Sequence, residues 1–172
     1  MRLIYVIPLI IITILNIIFY YNIKHPKSTK VLPQSSQENQ LESFKLPILG
    51  ESFKKFSTED LPSDEYILIN FFASWCNSCK YEHELLNKIF KEHNIKIYGI
   101  MVRDEEERSL KFLNDTSNPY KLVLNDIDSR FSISLGVISL PESLLVKNNI
   151  IINKFKGPLT EEIYRQQIKP YL

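Results

Sequence analysis

Cys76 and Cys79 are the only cysteines in the 172-residue chain, and they stand in the segment Trp75-Cys76-Asn77-Ser78-Cys79-Lys80. Across the first turn of a helix this spacing brings two sulfurs close enough to bond, and the disulfide can reopen without moving the fold. Such a pair can carry electrons. A helix N-terminus offers unpaired N–H groups and the positive end of the macrodipole, which favour a thiolate at Cys76 and predict it as the nucleophile. Cys79 falls about one turn further in, where desolvation holds it as a thiol until a mixed disulfide forms beside it; it is the expected resolving cysteine. A structural bridge fits less well, because closing so short a loop removes little entropy from the unfolded chain. A structural zinc normally takes four ligands.

The elements around the motif position it. Residues 66–73 form a run with Ile67, Leu68, Ile69, Phe71 and Phe72 and no solvated face, as expected of a buried strand in mid-sheet. Tyr81, Leu85, Leu86, Ile89 and Phe90 then repeat at helical spacing, predicting a helix over 76–93, and residues 95–102 form another apolar run. Strand, helix, strand in that order is a parallel crossover unit, which places the cysteines at the C-terminal end of a strand, where open α/β sheets carry their sites. Further along, a short strand over 44–49, a surface helix over 104–114, a strand over 120–124 and a short helix over 128–135 are expected. A hairpin over 142–147 and 150–155, turning at Asn148-Asn149, follows, and a closing helix starts at Thr160. The acidic run 104–107 is most simply a solvated helix start.

Composition sets bounds. The chain is 44% hydrophobic and 24% charged, enough for one domain with a core and an appendage. Four of the 21 basic residues, Arg2, Lys24, Lys27 and Lys30, fall in the first 30 positions with no acid, leaving 17 basic against 20 acidic residues. That net charge of −3 gives no sign of nucleic acid as partner. Residues 3–21 are apolar apart from Pro8, Thr13 and Asn16, long enough for one membrane-spanning helix, and no small-residue cleavage site follows. The expected division is a retained anchor over 1–24, a flexible tether over 25–40 rich in polar residues, and a folded domain over 41–172. Lys24, Lys27 and Lys30 outnumber Arg2, so charge bias alone does not support export of the domain.

With Trp75-Cys76-x-x-Cys79 between strand and helix and a hairpin after Pro141, the domain looks like a thioredoxin-like three-layer α/β/α fold with a mixed central sheet. Finer matches are Asn118-Pro119-Tyr120, Leu122-Val123-Leu124 with Asp126 and Asp128, Gly136-Val137 before Pro141-Glu142, and Gly157-Pro158-Leu159. Together they resemble the CcmG (DsbE) family, membrane-anchored thiol-disulfide reductases of cytochrome c maturation. The resemblance implies a single-pass protein of the bacterial inner membrane whose catalytic domain faces the periplasm. It implies that Pro141 is a cis-proline at the disulfide, with Trp75, Leu140 and Pro141 docking the substrate. Glu142 matches the family's acidic residue beside the site, although a solvated edge carboxylate is the plain alternative. Asn70 stands where thioredoxin has a buried aspartate, so that proton shuttle is expected to be missing. Glu82 and His83 match the acidic-His pair after the family's second cysteine. Asn77-Ser78 lacks the proline common between the family's cysteines, and Ser143 replaces the usual threonine.

The resemblance further implies apocytochrome c as substrate and a membrane electron donor of the DsbD/CcdA type, with the chain acting as a monomer and without a cofactor. Two other functions remain in view: a general extracytoplasmic reductase of the ResA/TlpA type, and a copper or zinc carrier using Cys76, Cys79 and His83. The second is disfavoured because no histidine follows His93.

Overall fold

The computed structural model describes residues 7, 11–17, 20, 39–93 and 95–172. The chain divides into two units, 1–34 and 35–172. In the first, residues 11–17 are helical and exposed. Among the described residues no helix is long and apolar enough to cross a membrane; the anchor expected over 3–21 and the tether over 25–40 lie mostly outside the described residues.

The second unit is built on a mixed seven-stranded sheet. Its strands are β1 (Lys45–Ile48), β2 (Glu51–Ser57), β3 (Ile67–Phe72), β4 (Lys96–Val102), β5 (Leu122–Asp126), β6 (Glu142–Lys147) and β7 (Ile150–Lys156), in the spatial order β2-β1-β5-β4-β3-β6-β7. Strands β3, β4 and β5 are parallel, and β6, β7, β1 and β2 join antiparallel at the two sides. All six residues of β3 are buried. Leu68 and Phe72 point into one core and Ile67, Ile69 and Phe71 into the other, so both faces of the strand are covered. Each such large apolar side chain contributes about 1.5–3 kcal/mol on full burial, which is why β3 takes the centre.

Helix α1 (Asn77–His93) packs on the first face with α2 (Glu106–Thr116) and the C-terminal segment, through Leu86, Ile89, Phe112, Leu113, Tyr164 and Ile168. The short α3 (Arg130–Ser134) covers the other face with Phe131. This is the expected α/β architecture. Several details differ. Strand β2 was not foreseen, because its sequence Glu-Ser-Phe-Lys-Lys-Phe-Ser has the composition of an exposed edge and no buried run. Tyr120 lies before β5 instead of in it. The closing helix starts as expected, with Thr160 Oγ1 accepting the Ile163 N–H at 3.2 Å, but only Glu161–Ile163 is α-helical before a wider π turn and a final 3-10 turn. The hairpin turns at Asn148 and Asn149, both at positive φ (52° and 57°), as a type I′ connection demands.

Candidate active site

Strand β3 ends at Phe72, and the chain turns through Ala73, Ser74 and Trp75 before α1 begins. The turn is held by Asp104 at the end of β4, whose carboxylate accepts from Ser74 N (2.5 Å), Ser74 Oγ (3.0 Å), Glu105 N (2.8 Å) and Ser109 Oγ (2.6 Å). Burial pushes this carboxyl up, but the hydrogen bonds from Ser109 and Ser74 outweigh it and hold Asp104 below the usual carboxylate range. Asp104 is therefore not part of a solvated helix start; it is buried and fastens the two ends of β3 and β4 together.

Cys76 and Cys79 are joined by a disulfide, with Cα atoms 5.3 Å apart. Cys76 precedes the first residue of α1, and its sulfur accepts the backbone N–H of Cys79 at 3.2 Å. It thus occupies the place of a helix cap, where an orphan N–H and the helix dipole favour negative charge. No acidic residue stands in the first turn of α1 to oppose that charge. Cys79 is completely buried and Cys76 is 6% exposed, so Cys76 is the outer sulfur of the pair.

A groove of about 370 Å³ runs beside the motif, lined among others by Trp75, Ile133, Ile138 and Leu140. Trp75 is held on its rim by Nε1 donating to the Arg103 carbonyl at 3.1 Å, and Ile138 is 83% exposed. The Leu140–Pro141 bond is cis. Glu142, the next residue, is no solvated edge carboxylate: it is fully buried, and Oε1 accepts from Ile138 N (3.1 Å), Ser139 N (3.2 Å) and Ser139 Oγ (3.4 Å). Its Oε2 makes no hydrogen bond but lies 3.5 Å from Lys154 Nζ, which itself donates to the Leu135 carbonyl at 2.7 Å. Glu142 ties down the loop that lines the groove. Glu142→Ala would leave that loop's N–H groups without their acceptor, and an expected loss of about 1–3 kcal/mol in stability should accompany a raised KM for a peptide disulfide. An unchanged KM would mean that the loop keeps its shape without the carboxylate.

Helix α1 presents a different face to the core than its apolar residues alone suggest. Tyr81 is 82% exposed, whereas Glu82 and His83 are buried. They lie three and four residues after Cys79 and so share its side of the helix. Glu82 Oε1 accepts the Leu159 N–H at 2.8 Å, and Oε2 accepts from Asn70 Nδ2 at 3.0 Å. Burial drives the Glu82 carboxyl up to about 7, with the Leu159 and Asn70 hydrogen bonds opposing the rise. The site therefore does hold a buried carboxyl: Asn70 replaces thioredoxin's aspartate, and Glu82 supplies an acid from the helix. Beyond Asn70 lie Ser143, Tyr120, His83 and Thr116. Gly99 on β4 allows the Tyr120 ring to sit there, since a Cβ on Gly99 would come within 2.9 Å of it.

Both ring nitrogens of His83 are engaged, with Tyr120 Oη (2.8 Å) and Thr116 Oγ1 (3.0 Å), so His83 does not complete a ligand face with the cysteines. Among the described residues, no three His, Cys, Asp or Glu side chains group as a metal site.

A dithiol set at the head of a helix, at the end of a central parallel strand of such a sheet, defines a thioredoxin-like thiol-disulfide oxidoreductase. Residues 38–156 match the AhpC/TSA family. The thiol:disulfide interchange protein DsbE of Haemophilus influenzae is 32% identical over 95% of this chain and 92% of its own length, and that of Escherichia coli K12 is 30% identical over 74% and 69%. The chain belongs to the DsbE family of thiol:disulfide interchange proteins. Among solved structures, a putative DsbE from Chlorobium tepidum superposes with a TM-score of 0.68 at 19% identity, covering 77% of this chain and 95% of that one, and so supports the fold. A putative thioredoxin from Neisseria meningitidis superposes with a TM-score of 0.65 at 25% identity, covering 76% and 88%.

Proposed function

We propose that the chain is an extracytoplasmic reductant that delivers electrons to disulfides of exported proteins, in the first place the haem-attachment cysteines of apocytochrome c. The observation that carries the direction is the modest electrostatic support around Cys76: one N–H on its sulfur at 3.2 Å, a longer contact with Ser78 Oγ at 3.6 Å, and no cation from Asn77 or Ser78. Weak stabilisation of the nucleophile's thiolate makes a dithiol a reductant, and strong stabilisation makes an oxidant. The reduced Cys76 thiolate attacks a substrate disulfide and releases one substrate thiolate. Glu82, in its ionised form, takes the proton of Cys79; the Cys79 thiolate then attacks Cys76 Sγ and expels the second substrate sulfur, which is protonated in turn. Trp75, Leu140 and Pro141 dock the substrate chain along the groove, and Glu142 keeps that groove in shape. Equilibration against glutathione should give a potential nearer thioredoxin's roughly −270 mV than the roughly −120 mV of a strong oxidant. A potential above about −150 mV would overturn the reductant reading.

The apolar stretch 3–21 supports a single retained anchor in the bacterial inner membrane, with residues 25–40 as tether; the support for a periplasmic domain over 41–172 is the family resemblance. A DsbD/CcdA-type membrane carrier would return electrons to the oxidised form, and the chain would act as a monomer. The full-length protein is expected to stay with membranes through an alkaline wash. Recovery of a mature chain beginning after Tyr21 would refute the anchor.

A further inference from the structure

Five side chains, four of them buried and Thr116 half-buried, run in a line from Glu82 to the end of α2. Glu82 Oε2 lies 3.0 Å from one end of the Asn70 amide, whose other end lies 2.7 Å from Tyr120 Oη. Tyr120 Oη lies 2.8 Å from His83 Nε2, His83 Nδ1 3.0 Å from Thr116 Oγ1, and Thr116 Oγ1 2.7 Å from the Phe112 carbonyl. Their hydrogens can be counted from the far end. The Phe112 carbonyl can only accept, so the single Thr116 hydrogen is committed to it. Thr116 must then accept from His83, which places a hydrogen on Nδ1.

Two arrangements satisfy every remaining contact. In one, Tyr120 donates to His83 Nε2, the Asn70 amide group donates to Tyr120, and the Asn70 oxygen accepts from Ser143 and from a protonated Glu82. In the other, His83 is doubly protonated and donates to Tyr120, which donates to the Asn70 oxygen, while the Asn70 amide donates to Ser143 and to an ionised Glu82. Both hold the same number of protons. An ionised Glu82 beside a neutral His83 is one hydrogen short, and one of the five contacts must be lost.

We propose that this chain keeps one proton shared between Glu82 and His83, and that His83 and Thr116 are positioning residues which set how readily Glu82 takes the proton of Cys79. The inference rests on the reading of Glu82 as acceptor for that proton. It gives a purpose to a buried histidine that touches neither cysteine nor groove. The Asn70 amide stands as in the second arrangement, with Nδ2 toward Glu82 and Ser143 and Oδ1 toward Tyr120. Burial pulls toward the first, for which the amide must turn over: it lowers His83 to about 4, with the Phe72 and Phe112 rings against it, and raises Glu82. The groups acting on Glu82 are Asn70 from β3 and the Leu159 N–H before the C-terminal segment, and the titratable group that interacts with it is Tyr120, beyond Asn70; Cys79, three residues earlier on the same helix, is held in the disulfide of the oxidised protein. Those on His83 are Tyr120 and Thr116.

The test is infrared titration of the protonated carboxylic C=O band in the full-length oxidised protein, with Glu82→Gln identifying the band. In the wild type it should titrate near 7. Thr116→Val keeps the side-chain shape but frees His83 Nδ1 from its obligation to donate, and Tyr120→Phe cuts the chain in the middle. Each should lower the midpoint by about one pH unit, a tenfold weaker hold on the proton. A midpoint unchanged in either variant overturns the proposal: unchanged in both, the chain has no influence, and unchanged only in Thr116→Val, the influence stops at Tyr120. Disulfide reduction by the wild type, assayed on the same samples, separates this result from the function itself. A wild type without reductase activity would overturn the functional reading while leaving the titration to stand or fall alone.

Discussion

Cys76→Ser should abolish disulfide reduction, while Cys79→Ser should still attack a substrate and then stall as a covalent adduct. The asymmetry follows from position. Cys76 is the slightly exposed sulfur at the head of α1, and it accepts the Cys79 N–H, so it is both reachable and the better thiolate. Cys79 has no access to a substrate from outside, since it is fully buried, but it lies within bonding distance of Cys76. Removing the first eliminates the attack; removing the second eliminates only the release. Mass spectrometry of each variant after incubation with an oxidised peptide reads the difference directly. An adduct on Cys76→Ser and none on Cys79→Ser would reverse the two roles.

Glu82→Gln is the second large effect, and it should act on stability and on rate in opposite senses. Glu82 has a folded-state value of about 7 against an ordinary value of 4.5, so between those limits the folded protein holds a proton that the unfolded chain releases. Stability from this group is complete below about 4.5 and is lost as pH rises through about 7, a loss on the order of 3 kcal/mol. The variant lacks that loss. Urea unfolding of wild type and variant at intervals from pH 4.5 to 8 should therefore show the difference moving in the variant's favour by that amount. His83 acts in the reverse direction and at lower pH, because its folded value of about 4 lies below the ordinary 6.5, so its contribution is lost as pH falls. For exchange, a carboxylate titrating near neutrality is well matched to taking a thiol proton, and its loss should slow resolution by Cys79 about a hundredfold while leaving the first attack by Cys76 intact. A flat stability difference across this pH range would show that Glu82 stays ionised in the fold.

The sequence by itself determined where the redox pair lies and what carries it. Two cysteines at helix-turn spacing after a strand with no polar face leave few alternatives, because β3 can bury Ile67 to Phe72 only in mid-sheet and the crossover then puts the motif at the strand's C-terminal end. The hairpin after Pro141 and its Asn148-Asn149 turn were legible for a similar local reason, since only a few residue types accept positive φ. Tertiary structure alone decided what surrounds the sulfurs. Glu142 reads as an edge carboxylate until the fold closes the 138–139 loop over it. Asp104 reads as a helix-start charge until β3 and β4 are side by side and Ser74 reaches it from 30 residues away. Glu82 and His83 were marked in the sequence as matching the family's acidic-His pair, and their three- and four-residue spacing from Cys79 puts them on its side of the helix, but nothing local says that two polar side chains are buried there. Only the pairing of Asn70 with Ser143 and the arrival of Tyr120 and Leu159 from distant segments provide the partners that let those groups be buried. Local sequence fixes backbone preference and apolar period; it carries no record of which remote donor will satisfy a buried acid, and that is settled by packing.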